Sequence, residues 1–560
     1  MIWNPRPLPD MDQVEALQEA LQIPKLVATL LVQRGISSFE TAKHFFRPQW
    51  EALYDPYLMK DMNLAVGRIE KALQEKEKIM VYGDYDVDGT TAVALVYSFL
   101  SPLADVVSYI PDRYSEGYGV SKKGIEEAHA KGITLIIALD CGIKAVDQVA
   151  YAASLGIDFI ICDHHQPGEV LPQAFAILDP KQSDCSYPFD GLCGCGIGFK
   201  LVQALLQKQG ATQETLIPYL DLVATAIAAD IVPMVDENRL LTYFGLQHMQ
   251  QASRVGIAYF LKELKQKIKV SDLVFKLAPR INAAGRMEHG LNAVRLLTST
   301  SVEAVKPIAR AIEFNNSERR SKDEKITQEA LNQIADSSSD YTTVVFDPQW
   351  HKGVIGIVAS RLIEHHYRPT VVLTQSGEVL AGSVRSVKGF DVYRALEACQ
   401  EHMIQYGGHK YAAGLTLAPD QLEGFKTCFE NAVKEQIRPE QRVPTLDYDA
   451  AVSLAELTPK TFRIMEQMAP FGPQNMRPVL VTHQCKDSGG SRAVGQDNAH
   501  LRLEITDASG AKFTGIAFQQ AHHLLDVKSQ RPFSICYTLE ENQFNNQSSL
   551  QLKIKALKFD

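Results

Sequence analysis

Ile79-Met80-Val81-Tyr82-Gly83-Asp84-Tyr85-Asp86-Val87-Asp88-Gly89 runs an unbroken apolar stretch straight into three carboxylates at alternate positions. Apolar residues without polar alternation read as a strand buried on both faces. Working outward, the pattern repeats. Residues 90–100 read as a helix and 106–110 as a strand. Leu135-Ile-Ile-Ala-Leu139 and Phe159-Ile-Ile-Cys162 read as further buried strands, with residues 144–155 helical between them. Strands alternating with helices, each strand apolar throughout, predict a parallel sheet covered on both faces.

The same elements end in chemistry. The run to Leu139 stops at Asp140, the run to Cys162 stops at Asp163-His164-His165, and a helix expected over 216–229 closes at Asp230. In an open α/β sheet, ligands sit beyond the carboxyl ends of the strands. Three strands and one helix end therefore deliver acids and imidazoles to one rim. Crowded carboxylates repel one another and resist desolvation, and a divalent cation removes that cost. Oxygen ligands suit Mg²⁺ and Mn²⁺, and the added imidazole suits Mn²⁺ at least as well. Asp-x-Asp-x-Asp-Gly also opens like a calcium loop, but position 95, where its bidentate Glu would stand, is Leu. Taken singly, an Asp after a strand is often a helix N-cap, and paired His are commonly core or surface residues. Taken together, the set points to two divalent ions, about 3.5–4 Å apart, clamping the attacking and leaving oxygens of a phosphoryl displacement. No Ser, Cys or His nucleophile is then required.

The 560 residues exceed what one core supports. Residues 1–75 read as a helical segment, 76–235 as the first α/β domain and 236–338 as a helical linker. Residues 339–440 read as a second, smaller α/β domain, and 450–560 as a β-barrel of the OB type. Phe513 and Phe518 are expected in that barrel's core. No apolar run is long enough to cross a bilayer, and the N-terminal residues lack a secretory pattern. The nine cysteines form no framework, which predicts reduced thiols and a cytoplasmic location. Cys193 and Cys195 are the one close pair; small buried residues ahead of a helix explain them better than a metal does. A net charge of −9 argues against a broad grip on duplex nucleic acid, but not against a narrow basic channel. Residues 276–325, with ten Lys/Arg against six Asp/Glu, are the local candidate for phosphate contact.

Asp163-His164-His165, Gly83-Asp84-Tyr-Asp86-Val-Asp88-Gly89, Asp140-Cys-Gly-Ile143 and Asp230-Ile-Val-Pro233 resemble the motifs of the DHH phosphoesterase superfamily. Within it, five further stretches are similar to the RecJ family. They are Pro111-Asp-Arg113 with Gly117-Tyr-Gly119, Leu277-Ala-Pro-Arg280-Ile-Asn282-Ala-Ala-Gly-Arg286-Met287, His351-Lys-Gly-Val-Ile-Gly-Ile-Val-Ala-Ser360-Arg361, Gly382-Ser383-Val-Arg385-Ser386 and Gly407-Gly408-His409. The resemblance covers nearly the whole chain. It implies a DHH catalytic domain, a DHH-associated domain facing it across a cleft, and a single-strand-binding OB barrel. It implies metal binding by Asp86, Asp88, Asp140, His164 and Asp230, with Asp84 beside them, and catalytic roles for Asp88, Asp140, His164 and His165; whether Asp84 and His165 touch metal directly stays open.

Arg113, Arg280, Asn282, Arg286, His351, Ser360, Arg361, Ser383, Arg385, Gly408 and His409 would then contact substrate. For Arg361, a surface ion pair with Glu364 is the competing reading. The implied activity is 5′→3′ hydrolysis of single-stranded DNA in repair and recombination, with a helicase and a single-strand-binding protein as partners. The alternatives are a phosphoesterase of oligonucleotides, cyclic dinucleotides or pyrophosphate, and an inactive scaffold. The filled acidic and His positions weigh against the scaffold.

Overall fold

Five strands form one wholly parallel sheet: β1 (Ile79–Gly83), β2 (Val106–Tyr109), β3 (Leu135–Leu139), β4 (Asp158–Cys162) and β5 (Ala176–Leu178), in the order β2-β1-β3-β4-β5. Every residue of β1 and β3 is buried, as their unbroken apolar runs require. The helices Lys122–Ala130 and Val146–Ser154 cover one face, around Met80, Tyr82, Ile136, Phe159 and Ile161. On the other lie α1 (Val87–Leu100) and α2 (Gly194–Lys208), with α3 (Leu220–Ala229) packed on both. The strand order reverses between β1 and β3, which is where such sheets open a ligand crevice. Two elements differ from expectation. β5 is only Ala-Ile-Leu, too short to stand out in sequence. The helix expected over 216–229 starts at Leu220, because Pro218 holds the preceding residues in a tight turn.

The computed structural model describes residues 1–113, 115–264, 266–287, 289–335, 339–544 and 547–559, with side chains for all of these but 286, 287, 543, 544 and 547. The chain divides into two compact units. One comprises residues 3–278, 290–305 and 447–560; the other comprises 1–2, 279–289 and 306–446.

The second of these units is built on a mixed sheet of β6 (Thr343–Phe346), β7 (Thr370–Ser376), β8 (Val379–Arg385), β9 (Gln405–His409) and β10 (Ala412–Leu417), ordered β9-β10-β8-β7-β6. Only β6 and β7 run parallel. The helix α4 (Ile355–His365) packs against β7 and β8.

The larger unit also holds the C-terminal barrel: β11 (Ala450–Ala451), β12 (Leu480–Asp487), β13 (Arg492–Val494), β14 (His500–Thr506), β15 (Lys512–Ala517), β16 (Phe533–Phe544) and β17 (Gln547–Phe559). Their order is β11-β12-β16-β17-β15-β14-β13, and a pairing of β12 with β14 closes it. That is two short strands more than the five expected. The N-terminal helices Met11–Leu21 and Lys25–Val32 share this barrel's core: Leu17, Val27, Leu30 and Leu31 cluster with Leu480, Leu501, Leu503, Ile535, Tyr537 and Leu552. Polar contacts reinforce the join, with Gln33 donating to the Asp449 carbonyl at 2.9 Å and Arg34 lying 3.7 Å from the Asp449 carboxylate. Phe513 packs against that core, but Phe518 is 50% exposed and meets His500 edge-on at 5.1 Å. Phe513, Gly515 and Ala517 are the inward positions of β15, so the in–out alternation turns position 518 outward and the expectation of a core position fails for it.

Leu31→Ala empties a fully buried site between helix and barrel. It should destabilise the larger unit by about 3 kcal/mol in urea unfolding, and a loss below about 1 kcal/mol would contradict the shared core.

Candidate metal centre

The turn after β1 sets three carboxylates in different frames. Asp84 is fully buried. Asp86 caps α1, accepting from the Gly89 N–H at 3.0 Å. Asp88, in the first turn of α1, is buried and accepts from the Gly194 and Cys195 N–H groups at 2.6 and 2.8 Å. These donors open α2, so its N-terminus is aimed at a carboxylate. A Cβ on Gly194 would lie 2.6 Å from the Asp140 Cβ, so no other residue fits there. Asp140 itself, directly after β3, is held at φ 60°, a left-handed conformation costing a non-glycine residue about 1 kcal/mol.

His164 brings the set together. Its Nε2 lies 3.1 Å from Asp140 Oδ1, without hydrogen-bond alignment, and 3.7 Å from both Asp88 Oδ2 and Asp230 Oδ2. Asp163 plays a different part. Its Oδ2 accepts from the Ile143 N–H at 2.9 Å, and its Oδ1 accepts from the N–H groups of His164 and His165 at 2.8 and 3.1 Å. The same Oδ1 is 2.8 Å from His165 Nδ1. The Asp of the triplet therefore shapes the turn and orients His165, whose Nε2 reaches the Tyr118 hydroxyl at 3.3 Å.

Burial, and then the Asp86 charge, pushes Asp84 up to about 8. Burial, Asp88 and Asp86 push Asp230 up to about 8. Burial and neighbouring carboxylates raise Asp140 well above its ordinary range and raise Asp88 too. Burial lowers His164 and so favours the neutral, ligating imidazole. For His165, burial is outweighed by Asp163, which raises it.

These residues fit a hard divalent cation. Both oxygens of Asp84 and Oδ1 of Asp140 are buried without a hydrogen-bond partner. Ligand atoms within 4.8 Å of one another form three sets: Asp84, Asp86 and Asp140; Asp88, His164 and Asp230; and Asp140, His164 and His165. No cysteine joins them among the described residues. Cys193 and Cys195 are fully buried, with thiols pushed well up by burial. Arg113 stands over the Tyr85 ring at 4.8 Å, and Tyr118 meets that ring edge-on. Sequence reasoning missed two contributors, the Gly194 and Cys195 main chain and Lys181, whose ammonium donates to the His164 carbonyl, and it quoted Tyr118 within a motif without giving it a role. Gly-rich helix starts and a Lys just past a strand are common, so only contact marks them.

The other unit carries a turn built around a largely buried arginine. Arg385 donates to Ser383 Oγ at 3.1 Å and to the Val384 carbonyl at 2.8 Å, and no carboxylate lies within 4.0 Å among the described residues. Burial lowers its affinity for its proton. A Cβ on Gly356, in the first turn of α4, would lie 3.0 Å from both Arg385 Nη2 and Ser383 Oγ. A largely buried guanidinium without a counter-ion, against a helix N-terminus, suits a phosphate. Ser360 Oγ turns back to the Gly356 carbonyl at 3.2 Å. Arg361 pairs at 2.7 Å with buried Asp323 on the helix Val302–Ala335, not with Glu364. His351 Nδ1 accepts from the Gly353 N–H at 3.1 Å, and burial and Lys322 lower its pKa. Gly408, pressed against the Ala412 carbonyl, precedes exposed His409, which accepts from the Tyr411 N–H. Arg280 pairs with Glu313 at 2.8 Å, and Asn282 is half-buried on the same helix. The Arg286 side chain lies outside the described residues.

Comparison with known proteins gives three family matches: the DHH family N-terminal domain over residues 78–227, the DHHA1 domain over 338–435 and the RecJ OB domain over 448–556. The single-stranded-DNA-specific exonuclease RecJ of Bacillus subtilis (strain 168) is 36% identical across 98% of this chain and 70% of its own length. That of Escherichia coli (strain K12) is 32% identical across 95% of this chain and 96% of its own. The crystal structure of RecJ from Thermus thermophilus with Mn²⁺ matches 100% of this chain and 80% of its own, at TM-score 0.86 and 26% identity. The same protein with Mg²⁺ gives a TM-score of 0.80.

The raised carboxylates carry a sign. A folded-state value near 8 for Asp84, against an ordinary 3.8, favours folding at low pH, and that contribution is lost as pH rises towards 8. Without metal, Asp84→Asn should therefore melt higher than wild type at pH 8. With saturating Mn²⁺ the order should reverse. A metal-free Asp84→Asn that melts lower would contradict the crowding of charge described here.

Proposed function

This chain belongs to the RecJ family of single-stranded-DNA-specific exonucleases, and we propose that it hydrolyses single-stranded DNA from the 5′ end with two divalent ions, Mn²⁺ or Mg²⁺, at the rim of its parallel sheet. The observation that carries this reading is the gathering of buried acids at one rim: oxygens of Asp88, Asp140 and Asp230 lie within 3.7 Å of His164 Nε2, and Asp84, whose buried oxygens have no partner, groups with Asp86 and Asp140. Asp84, Asp86 and Asp140 would hold one ion, and Asp88, His164 and Asp230 the other, with Asp140 and His164 adjoining both sets. The ions supply a water nucleophile at neutral pH and stabilise charge on the phosphate.

The protein's own residues do the rest. Asp88 is fixed by the two N–H groups of α2, so its oxygens cannot swing away from the centre. Asp163 keeps His165 oriented and nearer its charged form, ready to donate to a phosphate oxygen. Arg385 and Ser383, with the first turn of α4, take the 5′-terminal phosphate and so set the polarity. Arg113, Arg280, Asn282, Arg286, His351, Ser360, Gly408 and His409 act as further substrate contacts, whereas Arg361 is taken up by Asp323 and is left out of that set.

On the barrel, exposed Phe518 beside His500, with Arg502 on the same outward face of β14, offers stacking and phosphate contact to a long strand. That favours DNA over a small substrate. A role in repair and recombination, beside a helicase and a single-strand-binding protein in the cytoplasm, accords with this activity. Among the described residues no helix is long and apolar enough to cross a membrane.

Label release from 5′-phosphorylated single strands in Mn²⁺ tests the reading. Asp88→Ala should lose about 100–1,000-fold in rate, and undiminished activity would remove the metal centre from the reaction. Wild type should prefer 5′-phosphate to 5′-hydroxyl ends, and Arg385→Ala should erase a preference of about 10–100-fold. Equal rates on both ends for wild type would overturn the assignment of the terminal phosphate to Arg385.

A further inference from the structure

We propose that Lys181 is a positioning residue of the metal centre, aiming the His164 imidazole by holding that residue's main-chain carbonyl. The inference rests on the two-metal reading above. A metal-ligating His is ordinarily oriented by a hydrogen bond to its second ring nitrogen. Here that bond is missing: His164 Nδ1 is buried and has no partner among the described residues. The ring has no anchor of its own, yet Nε2 sits among Asp88, Asp140 and Asp230.

The main chain supplies the anchor. The His164 N–H donates to Asp163 Oδ1 at 2.8 Å, and its carbonyl accepts from the Lys181 ammonium. The peptide groups on both sides of the residue are thus held, which fixes the direction of its Cα–Cβ bond. Lys181 is placed for this by its own turn. It follows β5 in Asp179-Pro180-Lys181, and its N–H donates to Asp179 Oδ1 at 2.8 Å. Asp179 is wholly buried, so the turn is rooted in the sheet. The ammonium makes no ion pair within 4.0 Å among the described residues. An ordinary surface lysine would sit in water, and one kept for charge pairing would touch a carboxylate. This one is half-buried with a single protein acceptor, and that acceptor belongs to a ligand of the centre.

The sign of one measurement separates positioning from mere proximity. A bystander ammonium repels a nearby dication, so removing it would tighten metal binding. A positioning ammonium does the reverse, because the imidazole loses its aim.

The test uses full-length wild type, Lys181→Met and Lys181→Arg, each stripped of metal and titrated with Mn²⁺ by calorimetry. Lys181→Met should bind the His164-side ion about 10-fold more weakly, as loss of an outer-shell partner does. Lys181→Arg, which keeps a cationic donor, should recover to within about threefold of wild type. The metal-free melting temperature of Lys181→Met should match wild type, which separates lost aim from a damaged fold. Unchanged or tighter Mn²⁺ binding by Lys181→Met would overturn the proposal, as would a weakening that Arg does not recover. If wild type itself binds no Mn²⁺, the two-metal reading fails first and takes this inference with it.

Discussion

Carboxylates crowded at the ends of buried strands repel one another and cannot reach water, and the catalytic half of the molecule is organised around that unfavourable arrangement. β1 and β3 are buried along their whole length, so the residues that follow them are delivered to the rim with little freedom. Asp140 is held in a left-handed conformation, and the N-terminus of α2 closes over Asp88 with no room for a side chain at Gly194. The left-handed turn at Asp140 and the burial of the Asp88 charge cost stability in the metal-free protein, and the α2 N–H groups offset only part of the latter. Together they leave crowded carboxylate oxygens facing one another, which is the geometry a pair of dications turns from a liability into the strongest local attraction.

The mixed-sheet unit handles negative charge in the opposite way. Arg385 is largely buried with a hydroxyl and a carbonyl for company and no acid within 4.0 Å among the described residues, so its charge is left uncompensated. Arg361, by contrast, is spent on Asp323. Two arginines from neighbouring motifs, indistinguishable by residue type, are divided by whether a carboxylate from the long helix reaches them. The net charge of −9 is compatible with this division, because the cations that matter are placed singly rather than spread over a surface.

Much of this was legible in the sequence. Apolar runs ending in Asp84, Asp140 and Asp163-His164 located the strands and the rim together, because burial on both faces leaves no other reading of such runs. What stayed hidden depended on contacts between distant segments. The N-terminal helices show an apolar face, but nothing in residues 11–32 says that the face meets a barrel formed by the far end of the chain; only the shared core of Leu31 with Leu501 and Tyr537 reveals it. Phe518 looked like core because it closes the apolar run Ile516-Ala517-Phe518, yet it lies an odd number of positions from inward-facing Phe513, which puts the two rings on opposite faces of the strand. Asp163 carries the signature yet joins no metal set among the described residues, and both of its oxygens accept bonds from main-chain N–H groups or His165. Gly194 and Lys181 act through main-chain atoms, which leave no mark of residue type.

The central claim is that this rim holds two ions side by side. Electron paramagnetic resonance of the metal-stripped protein, titrated with Mn²⁺, tests it most directly. Two equivalents should be taken up, with the spectrum of a spin-coupled Mn²⁺ pair about 3.5–4 Å apart appearing at the second. A single equivalent, or two that give only the signal of isolated Mn²⁺, would contradict it.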